Sequence, residues 1–583
     1  MANCYSAEKQ ILILIALLKA HGIRHVIASP GNTNVSFVAS LQYDSYFKIY
    51  SCVDERSAAY MACGMAAELN EPVVLSCTGA TASRNYYPGL TEAYYRKLPV
   101  LAVTSSQVDA NVGQLSPQAT NRQEAPSDVV RFSANVSPVL NDTDFRNCEL
   151  TINKAILELK RHGGGPVHIN LQQRYLQDFS VRELPTVNVL QRYSIDDKLP
   201  ELPKGEVAIF IGSHKKMSKR LTEAIDSFCT RNNAVVLHDI TSSYKGQYGV
   251  NAGVRCFTGN KVEVECLIDI GEVSAYSYTA VQAKEVWRVS EDGEFRNRAY
   301  YKNMTRVFEM PEDIFFESYS VMGTGGSSYN NALLKALRNE NDILRSKIPS
   351  LPLSYWYIAQ KTTPLFPCGA VVHLAILSSL RAWKFFDFPD GVEGFSNVGG
   401  FGIDGCLSTC VGSSIVEPGK LHFCITGDLA FFYDMNILGT RHLNNNIRVL
   451  LINNNQGMEM VYPNHYPIVS HLSDPHSFNA AQGHYSIKDK DMVKSWATSC
   501  GFEYLRAESC EEFDSVLPYF MQPEIGNRPV IFEVFTTEEN ESLAYSQIIK
   551  ANVSASDNLK STARHLLGEK GIALAKRIIK KES

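Results

Sequence analysis

Short, fully apolar runs recur along this chain, separated by longer stretches in which apolar residues return every three or four positions. The first kind of pattern belongs to strands buried on both faces, the second to amphipathic helices packed against them. Residues 11–18 form the core side of an opening helix that ends near His21 and Gly22. Residues 26–29, 47–53, 72–78, 99–104 and 166–170 read as strands, and the Ala- and Met-rich stretch 56–70 reads as a helix. A polar segment at about 183–205, with Pro185, Pro200 and Pro203, reads as a linker. Beyond it, residues 207–211, 234–238 and 266–270 are strands of a second segment. Runs 421–426 and 447–452 are strands of a third, joined by a crossover helix expected over roughly 433–442. Strand and helix alternating in this way predict an α/β protein of three doubly wound parallel-sheet domains, at 1–182, 206–345 and 350–583.

The third segment carries the chemistry. Gly427-Asp428-Leu429 ends one strand, and Asn455, in Asn453-Asn454-Asn455-Gln456-Gly457, follows the next, 27 residues after Asp428. A βαβ unit brings such positions together at the carboxyl edge of the sheet, where open α/β sheets bind ligands. A carboxylate, an amide oxygen and a backbone carbonyl are hard donors suited to Mg²⁺ that shares its remaining positions with phosphate oxygens. Either half alone reads more simply as a polar turn; the spacing makes a metal–diphosphate clamp of Asp428, Asn455 and the Gly457 carbonyl. Glu55, at a strand-to-helix junction, is by itself a helix-capping acid.

Composition narrows the partners. The 583 residues are 45% hydrophobic and 20% charged, with a net charge of −5, which gives no electrostatic case for nucleic acid or an anionic membrane. The eight apolar residues at 11–18 are too few to span a bilayer, and no cleavable leader is read there. Fourteen cysteines occur without a Cys-x-x-Cys pair, as expected of reduced thiols in the cytoplasm. Gly323–Ser328 lacks the Lys-Ser/Thr of a phosphate loop and reads as a connection, and a basic amphipathic helix is expected over 566–581.

Gly-Asp followed by Asn-Asn at this spacing, together with Asp54-Glu55-Arg56-Ser57 and its alanine-rich helix, resembles the thiamin diphosphate (ThDP) enzymes, in their decarboxylase and carboligase branch. The order of segments, Ser29-Pro30-Gly31, Gln118, residues 165–170, Ser396-Asn397 and Gly402-Ile403-Asp404-Gly405 resemble the menaquinone-pathway synthase (MenD) family in particular. The resemblance covers nearly all of the chain. It implies a pyrimidine-binding, a middle and a diphosphate-binding domain, with ThDP and Mg²⁺ as cofactors. It implies Glu55 as the acid that hydrogen-bonds the aminopyrimidine, Ile403 as the residue wedged between the two cofactor rings, and Thr78, Gly79, Gln118, Gly427, Leu429 and Met458 as further cofactor neighbours. It also implies a homodimer or homotetramer, because in this family the pyrimidine domain of one chain faces the diphosphate domain of another.

The substrate side departs from the family. Asn32 and Thr33 stand where MenD enzymes carry Ser-Arg, Val398 follows Ser396-Asn397 in place of arginine, and His373 aligns with a third arginine. Arginine grips carboxylates through its planar fork, so these replacements predict a rebuilt pocket. Asn32, Thr33, His373 and Asn397 are the candidate substrate residues, with His373 either a proton donor or a packed core histidine. The expected reaction is decarboxylation of a 2-oxo acid with transfer of the acyl anion to a carbonyl or alkene acceptor, other than menaquinone synthesis. Plain decarboxylation, cleavage of a cyclic dione and a non-catalytic ThDP-fold subunit are the alternatives.

Overall fold

A computed structural model describes residues 4–122, 124–257, 261–275, 277–296, 298, 303–323, 331–462, 471–483 and 489–552. The basic helix expected over 566–581 and most of the Gly323–Ser328 cluster lie outside these residues. The described chain falls into two compact units. One runs through Lys198 and includes Asn303–Glu309; the other begins at Leu199 and holds the rest apart from Gly293–Arg296, which belong to the first.

The first unit is built on strands β1 (His25–Ala28), β2 (Lys48–Ser51), β3 (Val73–Cys77), β4 (Val100–Ser106), β5 (Phe132–Val136) and β6 (Val167–Gln172). They lie in the order β2-β1-β3-β4-β6-β5, and every pairing is parallel. β1, β3, β4 and β6 are buried along their whole length; β1, β3 and β4 show this as apolar stretches, while β6 (Val-His-Ile-Asn-Leu-Gln) alternates apolar with buried polar residues. β5 (Phe-Ser-Ala-Asn-Val) is half-exposed at the sheet edge and gives no such run. The helix Lys9–Ala20 buries Gln10–Leu18 against one face. The helix Glu55–Leu69 buries Ala58, Ala59, Ala62 and Ala66 against the other.

In the expected linker, β7 (Gln191–Ser194) pairs in parallel with β13 (Met304–Glu309). The second unit opens with β8 (Val207–Ile211), β9 (Val235–His238), β10 (Gly249–Asn251), β11 (Val262–Ile270) and β12 (Val281–Val289), in the order β10-β9-β8-β11-β12 and again all parallel. A third sheet holds β14 (Val371–Leu374), β15 (Glu393–Phe395), β16 (His422–Gly427), β17 (Ile447–Asn453), β18 (Glu503–Ala507) and β19 (Val530–Phe535). Its order is β15-β14-β16-β17-β19-β18, also parallel throughout. Counted from its own first strand, this sheet reads 2-1-3-4-6-5, identical to the first sheet.

The crossover between β16 and β17 differs from expectation. The helix is Asp428–Asp434, followed by a 3₁₀ turn at Met435–Gly439, instead of a helix over 433–442. Asp428 is itself the first helical residue, with Gly427 in extended geometry before it. Ser408 ends the helix early. Its N–H and hydroxyl both donate to the Asp434 carboxylate, tying the turn to the helix Cys406–Val416.

Candidate functional site

In doubly wound sheets ligands collect where the strand order reverses, outside the carboxyl ends of the strands. In the third sheet that point lies between β14 and β16, and Asp428 follows β16. Its side chain is 4% exposed. Oδ2 accepts the backbone N–H of Asn454 at 3.2 Å and of Gln456 at 3.1 Å, while Oδ1 accepts the N–H of Leu429 at 2.8 Å. One carboxylate therefore clasps the loop after β17, with Asn455 between the two bonded residues in the left-handed region at φ 59°. The loop is fixed from behind as well. The N–H of Asn455 donates to Asn453 Oδ1 at 3.2 Å, and Asn453 Nδ2 donates to buried Glu533 at 2.7 Å. The N–H of Gly457 donates to Ala480 O at 2.6 Å.

Burial pushes the Asp428 carboxyl up to about 7, although the backbone N–H bonds pull it down. No lysine, arginine or histidine among the described residues pairs with it. A buried carboxylate short of positive charge, an amide side chain and a backbone carbonyl on the same clasped loop make a donor set that fits Mg²⁺. Among the described residues no group of three or more His, Cys, Asp or Glu side chains gathers to hold a metal, so an ion here would complete its shell with phosphate or water oxygens.

Neighbouring elements brace this half. A Cβ on Gly427 would stand 2.5 Å from the Tyr355 hydroxyl oxygen, and one on Gly457 would stand 3.2 Å from Leu429 Cδ1. The Tyr355 N–H donates to both oxygens of fully buried Glu541, at 3.1 Å each. Gln456 Nε2 donates to Glu538 at 2.8 Å, on the same helix, Glu538–Asn552. Beyond Met458, which is buried, Glu459 forms a two-pronged ion pair with Arg381 at 2.5 and 2.6 Å. The sequence reading missed Tyr355, Arg381, Glu459 and Glu541, which lie on elements with no motif of their own.

Ile403 is half-buried and packs against the cluster that holds Leu407, Ala430 and Phe431, just before the helix Cys406–Val416. Asn397 exchanges hydrogen bonds with Thr409 of that helix at 3.1 and 3.3 Å, and Val398 is buried. His373 lies within β14, 4% exposed, stacked on Phe395 and His422. Burial, reinforced by His422, pushes its imidazole down to about 3, so it is neutral at physiological pH. These surroundings favour the packed histidine over the proton donor.

In the first unit the switch point lies between β1 and β3. Glu55 opens its helix half-buried and accepts a long hydrogen bond, 3.4 Å, from Asn85 Nδ2. The cap of that helix is Asp54, whose carboxylate accepts the Ser57 N–H at 3.2 Å, so Glu55 is spared the capping role. A Cβ on Gly31 would collide with the Thr78 methyl, so the loop bearing Asn32 and Thr33 closes directly on Thr78. Asn32 is exposed and Thr33 half-buried against Tyr175. Gly79 is buried, with Ser105 O and Arg122 beside it. Gln118, exposed and at φ 62°, shares a narrow crevice with Ser106, Thr120, Arg122 and Asn170. Arg122, four residues after Gln118 in the same polar loop, was missed, because nothing in the sequence marks its burial. A roomier cavity of about 890 Å³, lined by Gln107, Asn147, Gln172 and Arg174 among others, includes none of the expected site residues.

Comparison with known proteins agrees with both halves. Residues 12–125 match the model of the thiamine pyrophosphate enzyme N-terminal TPP binding domain, and 379–534 match that of the C-terminal TPP binding domain. The chain is 31% identical over 563 residues to the 2-succinyl-5-enolpyruvyl-6-hydroxy-3-cyclohexene-1-carboxylate synthase of Bacteroides fragilis, covering 92% of this chain and 98% of that protein. The like-named proteins of Phocaeicola vulgatus and Bacteroides thetaiotaomicron are each 29% identical, over 92% of this chain and 97% and 98% of theirs. With two clasped sheet edges, matching TPP-binding domains and near full-length relatives, the chain belongs to the thiamin diphosphate enzymes and, among them, to the MenD-like family.

Proposed function

We propose that the protein is a ThDP- and Mg²⁺-dependent carboligase that decarboxylates a 2-oxo acid and passes the acyl unit to a carbonyl or alkene acceptor. The Asp428 clasp on residues 454–456 supports this reading, because it ties the loop bearing Asn455 and Gly457 to a buried carboxylate at the carboxyl edge of the sheet. Asp428, Asn455 and the Gly457 carbonyl would hold Mg²⁺; Thr78, Gly79, Gly427, Leu429 and Met458 would line the cofactor, and Ile403 would set its bend. Bound ThDP supplies an electron sink at the carbon that loses CO₂. Glu55 would share its proton with the pyrimidine nitrogen, tuning the base from outside the reacting carbon. The segments 1–182, 206–345 and 350–583 are assigned as pyrimidine, middle and diphosphate domains.

The loss of arginine at Thr33, Val398 and His373 supports a reaction other than that named for the relatives. Asn32, Thr33 and Asn397 remain the side chains assigned to the substrate, and Gln118 is assigned to the cofactor. The test is CO₂ release from a panel of 2-oxo acids with ThDP and Mg²⁺, with product analysis in the presence and absence of acceptor aldehydes and cyclic enoates. A ligated product is expected. An aldehyde alone would make the protein a plain decarboxylase, and efficient formation of the menaquinone intermediate from 2-oxoglutarate and isochorismate would overturn the altered pocket.

A further inference from the structure

Arg122 is 4% exposed, yet most of its hydrogen-bonding capacity is idle. Nη2 donates to Ser105 O at 2.8 Å, while Nε and Nη1 are buried without a partner. Among the described residues no carboxylate lies within ion-pair distance of it. Chief among the groups that favour its charge are the Cys77 thiol and the Tyr175 phenol, both pushed up by burial and so neutral near pH 7. The buried His168 nearby is neutral too. An unpaired buried guanidinium costs several kcal/mol, so a chain that keeps one has a use for an anion there.

The surroundings define the anion. A Cβ on Gly79 would stand 3.3 and 3.4 Å from Nη2 and Nη1, so a side chain there would crowd the fork beside the Thr78–Gly79 turn. The crevice also holds the unpartnered hydroxyls of Ser106 and Thr120, which can donate to the same anion. Its enclosed space, about 10 Å³, is on the scale of one water, enough for the tip of a carboxylate and not for a ring. Tyr175 neighbours both this guanidinium and Thr33, a candidate substrate residue.

We propose that Arg122 is a specificity-determining residue that binds a carboxylate the substrate keeps through the reaction, with Ser106 and Thr120 completing the pocket. The inference rests on the ThDP reading above. The carboxylate that departs as CO₂ is excluded on physical grounds: an arginine holding it would stabilise the charged ground state more than the transition state and slow its loss. The retained acid belongs either to a dicarboxylic donor or to an acidic acceptor.

The test titrates the holoenzyme, with ThDP and Mg²⁺, by calorimetry. One arm compares glutarate with pentanoate, for the donor; the other compares benzoate with benzamide, for the acceptor. In at least one arm the acid is expected to bind ten-fold or more tighter than its neutral-ended counterpart. Arg122→Gln should reduce that ratio to under two-fold, and Arg122→Lys, which keeps the charge but loses the fork, should leave it intermediate. Equal ratios in wild type and Arg122→Gln, or no preference for the acid in either arm, would overturn the proposal, including the case in which a partner chain's acid already fills the pocket. Should Arg122→Gln fail to fold, an Arg122→Lys ratio equal to wild type would overturn it. The ThDP-induced rise in melting temperature is read separately: its absence in wild type would sink the ThDP reading, and its presence without an Arg122 effect would sink this one alone.

Discussion

Asp428 shows how one side chain can be tuned before its ligand arrives. Its carboxyl titrates at about 7 in the folded protein, against about 3.9 in an unfolded chain. A raised carboxyl contributes stability that is fully present below the unfolded value and is lost as pH rises through the folded one. The protein without cofactor should therefore lose melting temperature between about pH 4 and 7.5, at up to about 1.4 kcal/mol per pH unit. Buried Glu541, pushed up to about 8, extends the same trend. Binding Mg²⁺ with ThDP requires the ionised carboxylate, so the stabilisation it gives, measured by scanning calorimetry, should be larger at pH 8 than at pH 5.5. Asp428→Asn should flatten the pH dependence and abolish the response to Mg²⁺. Glu55 poses a different test. Glu55→Gln keeps the size of the side chain and lies apart from the Asp428 loop in sequence, so turnover should fall by about 10²–10⁴-fold with cofactor affinity changed far less. Equal losses in turnover and in affinity would place Glu55 in binding alone.

Among the elements, the contact between the helix Glu55–Leu69 and the helix Tyr87–Tyr95 is the tightest constraint on the position of Glu55. A Cβ on Gly89 would collide with Ala59 and stand 2.8–2.9 Å from the backbone at Ala59 and Tyr60. Gly89→Ala should force the helices apart, cost about 1–3 kcal/mol in urea unfolding and raise the ThDP concentration needed for half-activity. Unchanged activation would show that Glu55 is placed by its other contacts. The same contact shows which elements the sequence revealed. The alanines of the helix Glu55–Leu69 and the apolar stretches of β1, β3, β4, β8, β16 and β17 were legible because both faces are buried, and β6 was legible through the Val, Ile and Leu at its alternate positions. β5 escaped because it alternates at an edge, and β7 because polar Gln-Arg-Tyr-Ser in a proline-bearing stretch looks like linker. The short crossover helix escaped because its boundary is set by the Ser408–Asp434 bonds, a contact between residues 26 apart in sequence. The clamp at Asp428 and Asn455 was legible through its spacing, whereas Arg122 was not. Burial without a counterion leaves no trace in one sequence.

At the scale of the molecule, the exposed apolar residues around Glu55 are Val53, Tyr60 and Met61, at 80%, 48% and 38% exposure. Exposed apolar side chains near a half-buried acid suit a second copy of the chain, and light scattering is expected to give a dimer or a larger even assembly. Tyr60→Glu combined with Met61→Glu should shift the protein toward monomer and remove ThDP-dependent turnover together. A monomer with full activity would refute the assembly. No helix among the described residues is long and apolar enough to cross a membrane. The repeated strand order of the first and third sheets has a consequence for how such a protein can be retooled. Each scaffold presents its own set of loops at matching places, one carrying the Asp428 clasp and the other the Arg122 crevice. Randomising the loops at 30–34 and 107–122 should therefore yield clones with altered acid preference that still require magnesium at the parental concentration, whereas the same number of changes within 425–458 should yield mostly inert ones.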